Sequence, residues 1–348
     1  MTRALHTIAA RVVCWQENHG RNHLPWQNTS DPYRVWLSEV MLQQTQVSTV
    51  LNYYPRFLDH FPDVATLAAA SEDEVLAFWS GLGYYSRARN LHRCAQQVMA
   101  LHGGVFPATA QILQTLPGIG RSTAGAIAAF CFAERVPILD ANVRRVLTRV
   151  LGFDADLSVP ANERALWERA MQLLPSNNLL QAMPRYTQGL MDLGAMVCLA
   201  RNPLCPQCPL QAQCVGFQGG MPERYPVKTR KLIRKSESWW LLLLRDASGR
   251  VLLDRRPSDG IWPGLYCLPV YSARTELALH PAVDGAISTI DRPSFLHVLT
   301  HRDLHLHPVV VDIHSSGSNH QYGSWFSSEQ WRDLGLPAPI RKLLDTVQ

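Results

Sequence analysis

The chain has 348 residues, which exceeds one ordinary domain and fits two. Hydrophobic residues make up 47% and charged residues 18%, which excludes disorder by composition, and the net charge of +5 is compatible with a nucleic-acid partner. The apolar stretch 239–244 is too short to cross a bilayer, and His6, Arg11 and Glu17 interrupt any signal-peptide core, so we expect a cytoplasmic protein with no membrane partner.

Residues 1 to about 215 are predicted to be all-α. Apolar residues recur at helical spacing in 1–18, and Asp31-Pro32 supplies an acidic N-cap and a proline at the first position of the next helix. Further helix starts lie at 71–74, Thr109 and Pro160, and no alternating strand pattern occurs before residue 236.

A Pro-Gly-apolar-Gly turn at Leu116 to Gly120 joins predicted helices at 111–116 and 121–130. The first N–H groups of the second helix lack intrahelical acceptors and lie at the positive end of its dipole, so the turn can bind an anion such as a nucleic-acid phosphate. A plain helical hairpin, in which Gly118 and Gly120 serve only the geometry, fits the pattern equally well.

Four of the eight cysteines, Cys198, Cys205, Cys208 and Cys214, fall in one segment, where the prolines of 203–209 predict a tight loop. Four thiolates from one loop can hold a cubane iron–sulfur cluster or a zinc ion. Zinc loops usually have two closely spaced pairs, whereas here only Cys205 and Cys208 are close, so the spacing favours one 4Fe–4S cluster.

The composition changes after this cysteine loop. Residues 217–236 are rich in glycine, proline and basic residues and predict a linker, either solvated or lying against nucleic acid. Strand patterns then flank a turn at 246–249, another strand-rich run covers 304–313, and 339–347 predicts a closing helix. The predicted regions are therefore a helical region at 1–216 with the cysteine loop at 198–214, a basic linker at 217–236 and an α/β or α+β domain at 237–348.

Two further blocks, Val35 to Val47 and Gly81 to Leu91, carry a family resemblance. With the Leu116–Gly120 turn, Pro137-Ile138-Leu139-Asp140 and the cysteine loop in this order, the chain resembles the helix-hairpin-helix DNA glycosylases with an iron–sulfur loop, and among them the MutY family of adenine DNA glycosylases. The resemblance covers nearly the whole chain. It implies a helix-hairpin-helix core followed by a Nudix-like (MutT-like) domain. The implied activity is hydrolysis of the N-glycosidic bond of adenine opposite 8-oxoguanine or guanine in double-stranded DNA.

Releasing a base from deoxyribose requires an acid for the base and an anion for the cationic sugar, as in glycoside hydrolysis. By periodicity Glu39 would face water, but the resemblance places the catalytic acid there; a partly apolar pocket walled by Trp26 would raise its pKa. Asp140 precedes a helix as an N-cap, where hydrogen bonds favour the ionised form. The resemblance implies that Asp140 stabilises the oxocarbenium ion or captures it covalently, and that Asn142 helps to position it.

The resemblance also implies contacts with DNA. Gln188 lies near the adenine-recognition position, although less certainly aligned than the other residues, and the glycines of the turn serve as DNA contacts. The positions that wedge the base stack or contact the opposite base are Leu42, Gln43, Gln44, Thr45 and Tyr84; from the residues alone, Leu42 and Tyr84 would be assigned to the core.

Ser122 separates this chain from the endonuclease III branch, in which a lysine at this position forms a Schiff base with the sugar. A hydroxyl cannot form the imine, so we expect a mainly monofunctional glycosylase. Ser122 and the second domain argue against the alternative of a bifunctional lyase. The pair Glu39 and Asp140 argues against a non-catalytic DNA-binding module.

The second domain contains Ile261 to Tyr266, which is similar to a Nudix motif, but the acidic magnesium-binding residues are absent after Gly264. This argues against a nucleotide-pool hydrolase. In the family, an aromatic-Ser-His triplet approaches the oxidised guanine; here the matching stretch is Leu299-Thr300-His301, which keeps a hydroxyl and the histidine but lacks the aromatic ring. His305 and His307 share a predicted strand face without other ligands of matching spacing, so we expect no metal there.

Overall fold

The computed structural model describes residues 7–229, 233–314 and 323–346. The chain divides into two compact units that do not follow chain order. One comprises the described residues of 1–68 and 93–231, and the other those of 69–92 and 232–348. The contiguous domain boundaries expected from the sequence stay a prediction. In the structure, residues 69–92 group with the C-terminal part of the chain.

The part of the chain before residue 230 is helical, as predicted. The helices are α1 (Ile8–His19), α2 (Pro32–Leu42), α3 (Val47–His60), α4 (Val64–Ala69), α5 (Glu72–Trp79), α6 (Ser86–His102), α7 (Ala110–Leu113), α8 (Arg121–Phe132), α9 (Ala141–Leu151), α10 (Pro160–Gln172), α11 (Leu179–Asp192) and α12 (Val215–Gln218). A π-helical turn, Leu193–Val197, continues α11 directly.

Local chemistry sets several helix starts where the sequence predicts them. Asp31 accepts a hydrogen bond from the N–H of Tyr33 and precedes Pro32, and Thr109 caps α7. The predicted helix 111–116 is shorter than expected, because α7 ends at Leu113 and the chain turns there toward Gly118. Gly118 has a φ of 75°, which a side chain would disfavour.

The core of the first unit is built by α1, α8, α9, α10 and α11, which bury Val12, Ala126, Val146, Leu166 and Leu190, among others. Helices α1 and α11 approach closely at Gly189. A Cβ atom there would lie 2.7 Å from Cγ1 of Val12 and 3.0 Å from Cβ of Gln16. The small residue therefore sets the spacing of two helices whose other faces line a cavity.

The second unit is organised around a mixed sheet. Its long strands β1 (Lys235–Asp246) and β7 (Arg302–Ile313) pair in parallel along their length, and every other pairing among the described strands is antiparallel. The path is β3–β2–β1–β7–β5, with β4 on β1, β6 on β7 and β8 on β2. The shorter strands are β2 (Val251–Arg255), β3 (Tyr266–Cys267), β4 (Val270–Tyr271), β5 (Ser288–Asp291), β6 (Phe295–Val298) and β8 (Ser324–Phe326).

Four short helices complete this unit: α13 (Arg274–Ala278), α14 (Pro281–Asp284), α15 (Ser328–Arg332) and α16 (Ala338–Thr346). The centre of β1, Leu241 to Leu244, is buried without alternation, because both faces of the sheet are covered. The predicted turn at 246–249 and the closing helix are confirmed; the end of that prediction, Val347, lies outside the described residues. No described helix has the length and apolarity that a bilayer crossing requires.

We predict that Gly189→Ala lowers the free energy of unfolding by about 1–3 kcal/mol, because the added methyl group forces α1 and α11 apart. The measurement is the urea unfolding midpoint. Gly219→Ala is the matched control, since a Cβ atom there lies at an ordinary 3.4 Å from its nearest neighbour and φ is −78°. Equal midpoints for the two variants would contradict the close-packing role of Gly189.

Candidate functional site

A cavity of about 630 Å³ opens in the first unit, and several predicted site residues line it. Trp26, Glu39, Leu42 and Gln188 lie on its wall. Trp26 is buried and packs edge-to-face on Tyr54, with ring centroids 5.5 Å apart. The structure therefore gives Glu39 the partly apolar pocket expected for it.

Glu39 lies in the last turns of α2 and is half-buried rather than facing bulk water as periodicity alone predicted. Burial, and secondarily the charge of Asp140, raise the pKa of Glu39 from 4.5 to about 8. Both causes act in the same direction, so at neutral pH the carboxyl group holds its proton and can donate it into the cavity.

Asp140 is also buried, but groups that favour its ionised form surround it. Its Oδ1 atom accepts the N–H of Val143 at 2.7 Å and caps α9. Burial raises the pKa of Asp140, but the N–H groups of Val143 and Asn142 and the charges of Arg145 and Arg144 oppose that rise. The sequence-based expectation of a net lowering is therefore wrong, since burial outweighs the hydrogen bonds. The difference between the carboxyls remains, because Glu39 has no compensating group.

Asn142 connects this helix start to the cysteine loop through Arg145. The Oδ1 atom of Asn142 accepts a hydrogen bond from Arg145 at 2.8 Å, and Arg145 also donates to the carbonyl oxygens of Cys198 (2.7 Å) and Gly194 (2.6 Å). Gly194 lies in the π-helical turn, where a Cβ atom would be 2.6 Å from Cβ of Asn142. Glycine therefore permits the approach of this turn to α9.

The four cysteines of the loop line one apolar cavity together with Val146 and Val197. Burial raises the pKa of Cys208 to about 11, and Cys198, Cys214 and Cys205 lie close enough for their charges to add to the rise. Among the described residues, no group of three or more His, Cys, Asp or Glu side chains is placed to hold a metal ion. The donor set, four thiols around one apolar cavity, is of the kind that holds an iron–sulfur cluster or a zinc ion.

Arg149 is a buried cation beside these thiols. It lies one turn after Arg145 and donates to Sγ of Cys198 at 3.3 Å and to the carbonyl oxygens of Leu199 (2.6 Å) and Ala200 (3.0 Å). The Sγ atom of Cys214 in turn approaches the Arg149 carbonyl at 3.4 Å. This role of Arg149 was not predicted from the sequence, although the spacing of Asn142, Arg145 and Arg149 places them on one helical face.

The remaining residues predicted in the first unit surround the turn and the end of α2. Gly118 and Gly120 are exposed, Gly120 begins α8, and no side chain caps that helix. The Ser122 hydroxyl accepts the N–H of Leu139 at 2.9 Å, so it supports the residue before Asp140. Gln43 donates to Thr123 at 3.3 Å.

Gln44 has a φ of 56°, an unfavourable conformation for a residue with a side chain, and is exposed after the end of α2. Thr45 is half-buried, and its hydroxyl bonds the Gln43 carbonyl oxygen at 3.4 Å. The polar segment after Leu42 is thus held in a defined loop rather than in a continuing helix.

In the second unit, Tyr84 and Thr300 are brought together. Tyr84 has a φ of 48° and is 45% exposed, and its hydroxyl bonds that of Thr300 at 3.1 Å. The Leu299-Thr300-His301 turn is closed by the N–H of Leu299 bonding to the Arg302 carbonyl at 2.8 Å, and His301 is exposed. An aromatic ring and a histidine therefore flank one hydroxyl pair on the surface of this unit.

His305 and His307 lie in different surroundings on the same strand. His305 is exposed, whereas the ring of His307 stacks on Trp240 with centroids 4.5 Å apart. Arg87, in the block Gly81 to Leu91, is buried and donates to the carbonyl of Gly83 beside Tyr84.

Comparisons with known proteins agree with this architecture. Residues 37–172 match the HhH-GPD superfamily base excision DNA repair protein family, and residues 240–346 match the NUDIX domain family. The chain is 34% identical to the adenine DNA glycosylase of Buchnera aphidicola subsp. Baizongia pistaciae over 343 residues, which cover 97% of this chain and 95% of that one.

Two further similarities cover the helical part. The human adenine DNA glycosylase is 44% identical over 213 residues, covering 58% of this chain and 38% of the human protein. A solved structure of a thermostable thymine-DNA glycosylase superposes with a TM-score of 0.54 at 26% identity, covering 61% of this chain and 95% of that one.

Proposed function

This chain belongs to the adenine DNA glycosylase family and is a DNA glycosylase, and from that premise we propose that it excises adenine opposite 8-oxoguanine or guanine in double-stranded DNA. The observation that carries the proposal is the carboxyl of Glu39, which lines a cavity of about 630 Å³ and is protonated at neutral pH. That volume lies within the range of pockets that enclose small ligands, so it accommodates a base turned out of the stack.

The reaction begins with proton transfer from Glu39 to the adenine ring. Protonation makes the base a better leaving group, and the glycosidic bond breaks with positive charge developing on the sugar. Asp140, held by the N–H groups at the start of α9, stabilises that charge or forms a covalent bond with the sugar carbon. Water then completes hydrolysis. Asn142 acts by holding this helix start in place.

Ser122 makes the proposed enzyme mainly monofunctional. Imine formation requires an amine, and Ser122 carries a hydroxyl instead. This hydroxyl already accepts a hydrogen bond from the N–H of Leu139. The bifunctional lyase remains the alternative activity for this fold, and it requires a lysine that reaches the sugar.

DNA contacts follow from the surface positions of the turn and loops. Helix α8 begins without a side-chain cap at the exposed Gly120, so its N–H groups can bind a phosphate together with the backbone near Gly118. Leu42, Gln43, Gln44 and Thr45 wedge the base stack or contact the opposite base. Tyr84 wedges the stack.

We propose one 4Fe–4S cluster on Cys198, Cys205, Cys208 and Cys214. The four cysteines would hold the cluster as thiolates, and the cation of Arg149, which bonds Cys198, would offset part of the negative charge. The loop would then hold Arg145, and through it Asn142, in the arrangement that supports Asp140.

Replacing Glu39 by glutamine should abolish base release and leave DNA binding largely intact, because the variant loses the transferable proton and little contact surface. In the parent protein, single-turnover release should fall as pH rises through about 8, since deprotonation removes the acid. A variant with normal turnover, or a parent rate that rises through this range, would exclude Glu39 as the acid.

The carboxyl of Glu39 also predicts how the stability of the fold depends on pH. Because folding raises the pKa of Glu39 above its ordinary value, the protonated carboxyl favours the folded state most at low pH, and this contribution is lost between about pH 4.5 and 8. Glu39→Gln, which stays neutral, should therefore gain stability relative to the parent across that window.

The cluster proposal predicts that anaerobically purified protein is brown and contains iron and sulfide in equal amounts. Cys205→Ser should lower the iron content and the thermal stability, whereas Cys14→Ser, which changes an exposed cysteine away from the loop, should not. Colourless protein with stoichiometric zinc would overturn the assignment.

Recognition of the opposite base is proposed for Leu299-Thr300-His301, because adenine is a normal base and its own pocket cannot identify the mispair. His301→Ala and Thr300→Val should reduce the preference for oxidised guanine over guanine by about 1–3 kcal/mol, as expected for loss of one or two hydrogen bonds. The measurement is single-turnover adenine release from both duplexes at fixed salt, with His305→Ala as control. Equal losses on the two duplexes would mean that this turn adds affinity only.

A further inference from the structure

Asp192 is a fully buried carboxylate at the end of α11, next to the wall of the cavity. Its Oδ2 atom accepts the main-chain N–H of Arg21 at 2.9 Å. Its Oδ1 atom accepts Nε (2.8 Å) and Nη2 (2.7 Å) of Arg21 and Nε2 of Gln188 (2.9 Å). Arg21 and Gln188 line the cavity that contains Glu39, whereas Asp192 lies behind them.

This arrangement removes an ambiguity that glutamine normally has. The amide of Gln188 can turn either its NH₂ group or its carbonyl oxygen toward a neighbour that offers both a hydrogen-bond donor and an acceptor. A carboxylate only accepts hydrogen bonds, and here it also receives the charged donors of Arg21, so it accepts the NH₂ side of Gln188. The carbonyl oxygen and the second N–H of Gln188 are then left for a ligand.

These two groups match one edge of adenine. A glutamine amide pairs with adenine by accepting from the N6 amino group and donating to N7. Guanine and hypoxanthine carry a carbonyl oxygen in place of the amino group, and that oxygen would face the Gln188 carbonyl. We infer that Asp192 is a positioning residue that fixes the Gln188 amide in the orientation that selects an exocyclic amine and rejects a carbonyl.

The inference rests on the proposed adenine excision and extends it to the choice of base. The experiment compares single-turnover base release from duplexes that carry adenine or hypoxanthine opposite oxidised guanine. The ratio of the two rates is measured for the parent, Asp192→Asn, Gln188→Leu and the double variant. Because one protein preparation acts on both duplexes, differences in the active fraction cancel in the ratio.

We expect Asp192→Asn to lower the adenine preference by about tenfold or more, because asparagine presents both a donor and an acceptor and no longer orients Gln188. Gln188→Leu should lower it similarly, and Asp192→Asn should have no additional effect in that background. Asp156→Asn, the same exchange at a half-buried aspartate that bonds Ser158 and Thr229 outside the cavity, should leave the ratio unchanged.

Three results would overturn this assignment or the function beneath it. Equal slowing on both duplexes by Asp192→Asn would show a purely structural role for Asp192. An unchanged ratio for Asp192→Asn with a lowered one for Gln188→Leu would refute the positioning role and leave adenine recognition by Gln188 intact. An unchanged ratio for Gln188→Leu would refute the recognition of adenine by Gln188. If Asp192→Asn does not fold, the same ratio is measured for Asp192→Ser. In that variant Arg21 loses its carboxylate partner, but it lines the cavity and can be hydrated from there.

Discussion

Two nearby carboxyl groups with different surroundings are the constraint around which the helical unit is arranged. Glu39 is enclosed without a compensating donor, so its pKa rises to about 8. Asp140 is also buried, but the start of α9 and two arginines offset part of that cost. The charge of Asp140 adds to the rise in the pKa of Glu39, because like charges at such a site disfavour joint ionisation. The proposed division into an acid, Glu39, and an anion, Asp140, rests on this difference in surroundings.

The position of Asp140 depends in turn on groups far from the cavity. One face of α9 carries Asn142, Arg145 and Arg149. Arg145 bonds the π-helical turn, Arg149 bonds the cysteine loop, and Asn142 accepts a hydrogen bond from Arg145. Gly194 allows the contact with Asn142, and Gly152, where a Cβ atom would lie 2.4 Å from Val215, allows the end of α9 to approach α12. The cysteine loop is therefore packed along the helix that presents the anion.

Much of the fold was predictable because local signals agreed with it: the Asp31-Pro32 start, the glycine turn and the 246–249 hairpin all lie where sequence placed them. The environment of Glu39 was not predictable from periodicity, since a helix pattern indicates which face is polar but not whether a cavity encloses it. The net pKa direction of Asp140 depends on burial, which distant helices decide. The role of Asp192 was accessible from its i,i+4 spacing to Gln188, but only the structure brings Arg21 to it.

The central claim is that Glu39, on the wall of this cavity, and the nearby Asp140 remove adenine from a mispair. The direct measurement is free-base release, under single turnover, from duplexes that carry adenine opposite oxidised guanine, guanine, cytosine or thymine. The account predicts release of adenine from the first two, with strand breaks only after alkali. Release of a pyrimidine instead, or strand cleavage without alkali through a borohydride-trappable adduct, would contradict it.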